Sequence, residues 1–150
     1  MLEQKWFEDF KVGDKFHTPS KTITAAHFLF FAALSGDNHP IHYDYEYAKA
    51  TVFGRCVVHA FMLTAMTAPG ASTLSPHILE SVIAILGESS SYLKPVFAGD
   101  TVTPQLEVVE LIPKKGKGVL KLKATITNQN GDIVMEGHTL IMLKCRTAAQ

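Results

Sequence analysis

Between residues 120 and 143 the chain carries a pattern that few folds can accommodate. Leu120, Leu122, Ala124 and Ile126 alternate with Lys121, Lys123, Thr125 and Thr127, the period-two signature of a strand with one wet face and one dry face. Asn130-Gly131 follows, a strong short hairpin signal, and then a second strand-like run, Ile133–Leu143. Two further regions, Val82–Val96 and Val102–Leu111, read as strands, broken by Pro95 and a Gly99-Asp100 turn. Lys114-Lys115-Gly116-Lys117 reads as a solvated hairpin tip. Successive hairpins imply an antiparallel sheet whose dry face must be covered.

The first half supplies the cover. Phe10-Lys11-Val12-Gly13-Asp14 looks like a short strand ending in a Gly-Asp turn. Thr24 suits an N-cap for a helix Ala25–Ser35, which Gly36 stops. Asp44 can cap a short helix, Tyr45–Ala50. From Val57 to Ala68 a helix is predicted with Val57, Val58, Phe61, Met62, Ala65 and Met66 on one side and little polar surface elsewhere, ended by Pro69-Gly70. A helix apolar nearly all round is expected to be buried. A buried helix before an antiparallel sheet points to an α+β architecture in which the sheet curls around the helix. At 150 residues, 47% of them hydrophobic and 19% charged, with no repeat or linker, the chain reads as one domain spanning 1–150.

Fourteen basic residues balance fourteen acidic ones, so no net field draws nucleic acid or a membrane surface. The longest apolar runs fall short of the roughly 18 residues a membrane span needs. The start of the chain, Met1 to Glu8, lacks the basic and apolar regions of a secretory signal. Cys56 and Cys145 show no metal-type spacing and read as reduced thiols, which makes the cytoplasm the expected compartment. No Gly-rich nucleotide loop occurs, and Ser35 lacks the elbow of a serine nucleophile.

The chemistry concentrates in Leu34-Ser35-Gly36-Asp37-Asn38-His39-Pro40-Ile41-His42-Tyr43-Asp44. On a continuous helix, at about 100° per residue, Asp37 and His42 would stand about 140° apart. Gly36 and Pro40 interrupt the helix and allow both to turn toward one point. A carboxylate and an imidazole that share a water are the acid/base pair needed to hydrate an α,β-unsaturated thioester. The carbonyl gathers charge as water attacks and needs a donor, which the free N–H groups at a helix start near His59 and Ala60 would supply. The plainer readings are Asp37 as a helix-end cap with His42 solvated, or a metal site drawn from His39, His42, Asp44 and His59. No metal is expected, because H-x-x-H on a loop lacks the register of a zinc protease.

Gly36-Asp37-Asn38-His39-Pro40-Ile41-His42 resembles the signature of the MaoC-like dehydratases, the (R)-specific enoyl-CoA hydratases. Trp6–Asp14, Val57-Val58-His59-Ala60-Phe61-Met62 and Tyr92–Thr101 are similar to other segments of that family. The resemblance implies a hotdog fold, with the sheet wrapped around the Val57–Ala68 helix, and a homodimer. It also implies Asp37 and His42 as the catalytic pair and the N–H of Ala60 as donor to the thioester oxygen, with His59, His39 and Asn38 beside the substrate. Acyl-CoA or acyl-carrier thioesters would be the substrates, with coenzyme A present only as part of the substrate and no separate cofactor. The family carries asparagine where this chain has His39, and glycine where it has Ala60. Two rival activities on the same fold are a thioesterase, in which the activated water attacks the carbonyl carbon, and an acyl-thioester-binding or dimerising protein without turnover.

Overall fold

The structure is a computed structural model and describes residues 3–146. Six strands form one antiparallel sheet: β1 (Lys15–His17), β2 (Lys21–Thr22), β3 (Val82–Tyr92), β4 (Thr101–Lys114), β5 (Lys117–Thr127) and β6 (Ile133–Lys144). Their order is β1-β4-β5-β6-β3, with β2 also on β4. The alternation read from the sequence sets the sheet's inner face. Leu120, Leu122, Ala124 and Ile126 of β5 are buried, opposite Leu106 and Val108 of β4 and Met135 and Ile141 of β6. Burying each of the leucine, isoleucine, valine and methionine side chains contributes roughly 1.5–3 kcal/mol.

Both predicted hairpins form. β4 and β5 join through Lys115-Gly116, with Lys114 opposite Lys117. The β5–β6 connection is longer than a two-residue Asn-Gly turn, because Thr127 pairs with Ile133. Asn128 organises it, its Oδ1 accepting from the N–H groups of Asn130 and Asp132 at 3.0 Å.

Three helices precede β3: α1 (Ala25–Ser35), α2 (Tyr45–Lys49) and α3 (Ala60–Met66). Gly36 ends α1 in the left-handed region at φ 77°, a conformation glycine adopts without the penalty of a Cβ. Asp44 caps α2 by accepting from the Tyr47 N–H at 2.9 Å. Two expectations are corrected. Residues 10–14 form a turn, not a strand; the preceding residues Phe7–Asp9 make a single 3-10 turn, and pairing begins only at Lys15. Predicted to run from Val57 to Ala68, α3 is only seven residues long. Val57 bridges Phe97 across strands and the Val58 N–H donates to the Val96 carbonyl at 2.8 Å, so both are taken into extended backbone before the helix begins.

The short helix does not cover the sheet alone. Met62 and Leu63 of α3 pack with Phe28 of α1 over Val102, Ile126, Val134 and Met135. The other half of the inner face is filled by Phe7, Phe10, Phe16, Leu74 and Ile78. The outer side of α3 is open, with Phe61 71% exposed. The arrangement is an α+β hotdog, a sheet wrapped around α3 and completed by the aromatic N-terminal segment. Among the described residues, no helix is long and apolar enough to cross a membrane.

Candidate active site

The loop between α1 and α2 is held by its side chains bonding to its own backbone. Ser35 Oγ donates to the Phe31 carbonyl at 2.7 Å and accepts from the Asp37 N–H at 3.1 Å. Asp37 Oδ1 in turn accepts from the His39 N–H at 3.4 Å, an Asx-type turn. Pro40 opens a 3-10 turn ending at His42, and His39 Nδ1 caps it from the Ile41 N–H at 3.3 Å. The Tyr43 hydroxyl donates to the Asn38 carbonyl at 2.7 Å. Seven residues are thereby fixed with no regular helix, so Asp37 and His42 can face each other.

Asp37 Oδ2 lies 3.8 Å from His42 Nε2, with side chains 43% and 11% exposed. His42 Nδ1 is 2.7 Å from the Val57 carbonyl. A carbonyl only accepts, so Nδ1 carries the proton and Nε2 presents a lone pair toward the carboxylate. Two acceptors 3.8 Å apart cannot bond each other, but one water can donate to both, leaving its oxygen lone pairs free to attack.

His59 completes the cluster from the start of α3. It is 1% exposed, stacks on the His42 ring at 3.7 Å and 19°, and its Nε2–H donates to the Asp37 carbonyl at 3.1 Å. Burial, before any other influence, lowers its pKa from the ordinary histidine value, so the ring stays neutral. Asp37, His42 and His59 place possible metal-ligating atoms within 4.8 Å of one another. The stacked rings point their free lone pairs along near-parallel planes, and His42 Nδ1 and His59 Nε2 already serve carbonyls. That geometry does not converge on a single ion at about 2.0–2.1 Å from each nitrogen.

Beside the pair lies a cavity of about 470 Å³, with walls that include Asp37, His42, Phe53, Ala60, Phe61 and Tyr92. Its surface is mostly apolar, which suits an acyl chain. The N–H groups of Ala60 and Phe61 have no backbone acceptor among the described residues, and Ala60 opens the helix at the cavity wall. Of the sequence candidates, Asp37, His42 and Ala60 meet at this cavity. Asn38 and His39 lie in the turn behind it, and His59 supports the pair without lining the cavity. Phe28 lines a second, smaller cavity on another side of His42, Phe31 packs on His59, and Met62 is core.

Sequence reasoning missed Phe53 and the Tyr92–Val96 wall. Tyr92 OH is held by Thr64 Oγ1 of α3 at 2.6 Å, and Lys94 by Asp132 at 2.7 Å. No local periodicity marks these positions. Long-range contacts, among them the Val57–Phe97 bridge and the Val58 N–H bond to the Val96 carbonyl, bring the segment after β3 against the cavity.

Comparisons with known proteins show what the chain is similar to. The chain is 33% identical to the (R)-specific enoyl-CoA hydratase of Aeromonas caviae over 91% of its own length and 97% of the relative's. A solved (R)-hydratase from A. caviae, involved in PHA biosynthesis, superposes with a TM-score of 0.75, covering 93% of this chain and 99% of that one at 33% identity. An Archaeoglobus protein described as a monoamine oxidase regulatory protein superposes at 0.91, with 28% identity and 97% of each chain covered. A Mycobacterium tuberculosis protein with a double hotdog fold, 22% identical, shares the fold at 0.80 over 98% of this chain and 46% of its own. The model of the MaoC like domain matches residues 9–130. The chain belongs to the MaoC-like domain family.

Proposed function

We propose that this chain, acting as one unit along its length, is an (R)-specific enoyl-CoA hydratase that reversibly adds water to trans-2-enoyl thioesters of coenzyme A or an acyl carrier. The observation that carries the reading is the 3.8 Å gap between Asp37 Oδ2 and His42 Nε2 at the wall of an apolar cavity. A water held between the two loses a proton to the pair as its hydroxyl bonds to Cβ. Electrons shift through the double bond onto the thioester oxygen, which the Ala60 N–H stabilises. The pair then delivers a proton to Cα, and the enzyme returns to its starting protonation. Proton removal from water and proton delivery to Cα are both roles of the Asp37–His42 pair. Every proton is carried by these groups and water, so the reaction needs no separate cofactor.

The same reading includes a homodimer. β3 is an edge strand, unpaired on its outer side among the described residues, and exposes Ile83, Ile85 and Leu86. A long apolar edge of this kind invites a second copy. Cys56 and Cys145 are free thiols, which fits the cytoplasm as the compartment.

The test is incubation with trans-2-enoyl-CoAs of increasing chain length, following loss of enoyl absorbance and resolving the product's chirality. The expected result is (R)-3-hydroxyacyl-CoA without release of free thiol. Asp37→Ala and His42→Ala are each expected to lower kcat on the order of a hundredfold or more. Thiol release, or wild-type rates in both variants, overturns the reading.

A further inference from the structure

The reacting groups come from two separate segments. Asp37 and His42 belong to the loop after α1, while the Ala60 N–H belongs to the start of α3. Hydration needs all of them placed around one thioester, and misplacement by about 1 Å can cost on the order of a hundredfold in rate. One side chain ties the segments together. His59 immediately precedes Ala60 and donates from Nε2 to the backbone carbonyl of Asp37 at 3.1 Å, while its ring lies flat on that of His42. From α1, Phe31 and Phe28 hold the same ring at centroid distances of 5.0 and 6.2 Å. The ring is thus clamped on its faces and edges and bonded at one nitrogen.

The other nitrogen makes the arrangement informative. His59 Nδ1 is buried and has no hydrogen-bond partner among the described residues. An unpaired buried acceptor is destabilising, so the fold tolerates a penalty that a phenylalanine or leucine at this position would avoid. What the imidazole provides in return is the Nε2–H directed at Asp37. Protonating Nδ1 would satisfy no acceptor and would place a buried cation against the His42 ring.

We propose that His59 is a positioning residue, a neutral Nε2–H strut that fixes the Asp37 carboxylate and the Ala60 N–H in one frame and gives His42 a flat surface to rest on. The proposal rests on the hydratase reading for its kinetic consequence but not for its structural one. His59 does not line the cavity, so it acts through Asp37, His42 and Ala60 and not by touching substrate.

The first measurement needs only the wild-type protein. Long-range proton–nitrogen NMR of the histidine rings is expected to show His59 neutral and protonated at Nε2 between about pH 7 and 8. A His59 protonated at Nδ1, or charged within that range, overturns the proposal. The second measurement compares His59→Gln, whose amide N–H can reach the position of Nε2, with His59→Phe, which keeps the flat ring and loses the donor. The glutamine variant is expected to retain kcat within about tenfold, and the phenylalanine variant to lose on the order of a hundredfold, each with KM within about twofold. Equal kcat in the two variants, or a loss confined to KM, also overturns it. If either variant fails to fold, the wild-type spectra decide. If the wild-type protein hydrates no enoyl thioester, the functional reading falls and the spectra still decide the strut.

Discussion

His59 makes the stability of the fold depend on acidity, because its ring is buried in the neutral form. Burial lowers its folded-state pKa below the ordinary histidine value of 6.5. The unfolded chain therefore takes up a proton near pH 6.5 that the folded chain refuses. Below that point the unfolded state binds more protons, so stability falls with falling pH until the folded-state pKa is reached. Above about pH 6.5 the contribution is fully present. The expected outcome is a melting temperature that drops between about pH 7 and 5, with a shallower slope in His59→Gln, measured by calorimetry across that range. Asp37 and His42 were both legible as candidates, because glycine and proline at 36 and 40 break the helix and a carboxylate and an imidazole remain. The role of His59 was not legible. From the sequence it was a helix-start residue, and its partner is the carbonyl of a residue 22 positions away.

At the scale of elements, the strands were easier to read than the helices. β4, β5 and β6 each place one face against the core and one in water, so alternation in β5, the Asn130-Gly131 hairpin signal and the Gly99-Asp100 turn located them. The α3 prediction ran long because Val57, Val58, Thr67 and Ala68 share the composition of the helix, yet Val57 and Val58 pair with the segment around Phe97. Thr67 and Ala68 close the other end with i→i+3 bonds to Thr64 and Ala65. Local periodicity cannot register a competing partner some 40 residues on. The pairing of β3 with β6 depends on a position without a side chain. A Cβ on Gly137 would fall 1.9 Å from the Ser89 carbonyl oxygen, a backbone atom that cannot move aside without breaking the ladder. Gly137→Ala is expected to destabilise the protein on the order of 3 kcal/mol, read by chemical denaturation. Because β3 also carries Tyr92 at the cavity wall, whatever variant remains folded should show a raised KM.

Ile83, Ile85 and Leu86 leave β3 with an apolar outer edge, and Phe61 stands exposed beside the cavity. If a second copy covers the edge, Ile85→Lys should convert the dimer to monomer at micromolar concentration, because a buried, unpaired ammonium is too costly to leave at an interface. Sedimentation analysis reads this directly, and a wild-type protein sedimenting as a monomer would end the dimer proposal.

The sequence by itself determined the antiparallel sheet, the helix that Gly36 ends, and the broken loop that carries Asp37 and His42. Each follows from spacing within a few residues, where backbone geometry and side-chain polarity act directly. Tertiary structure alone decided the length of α3, the cavity wall from Phe53 and Tyr92–Val96, the tautomer of His42 set by the Val57 carbonyl, and the place of His59 between loop and helix. Those features are contacts between residues distant along the chain, and such contacts exist only once the sheet has curled and brought the segments together.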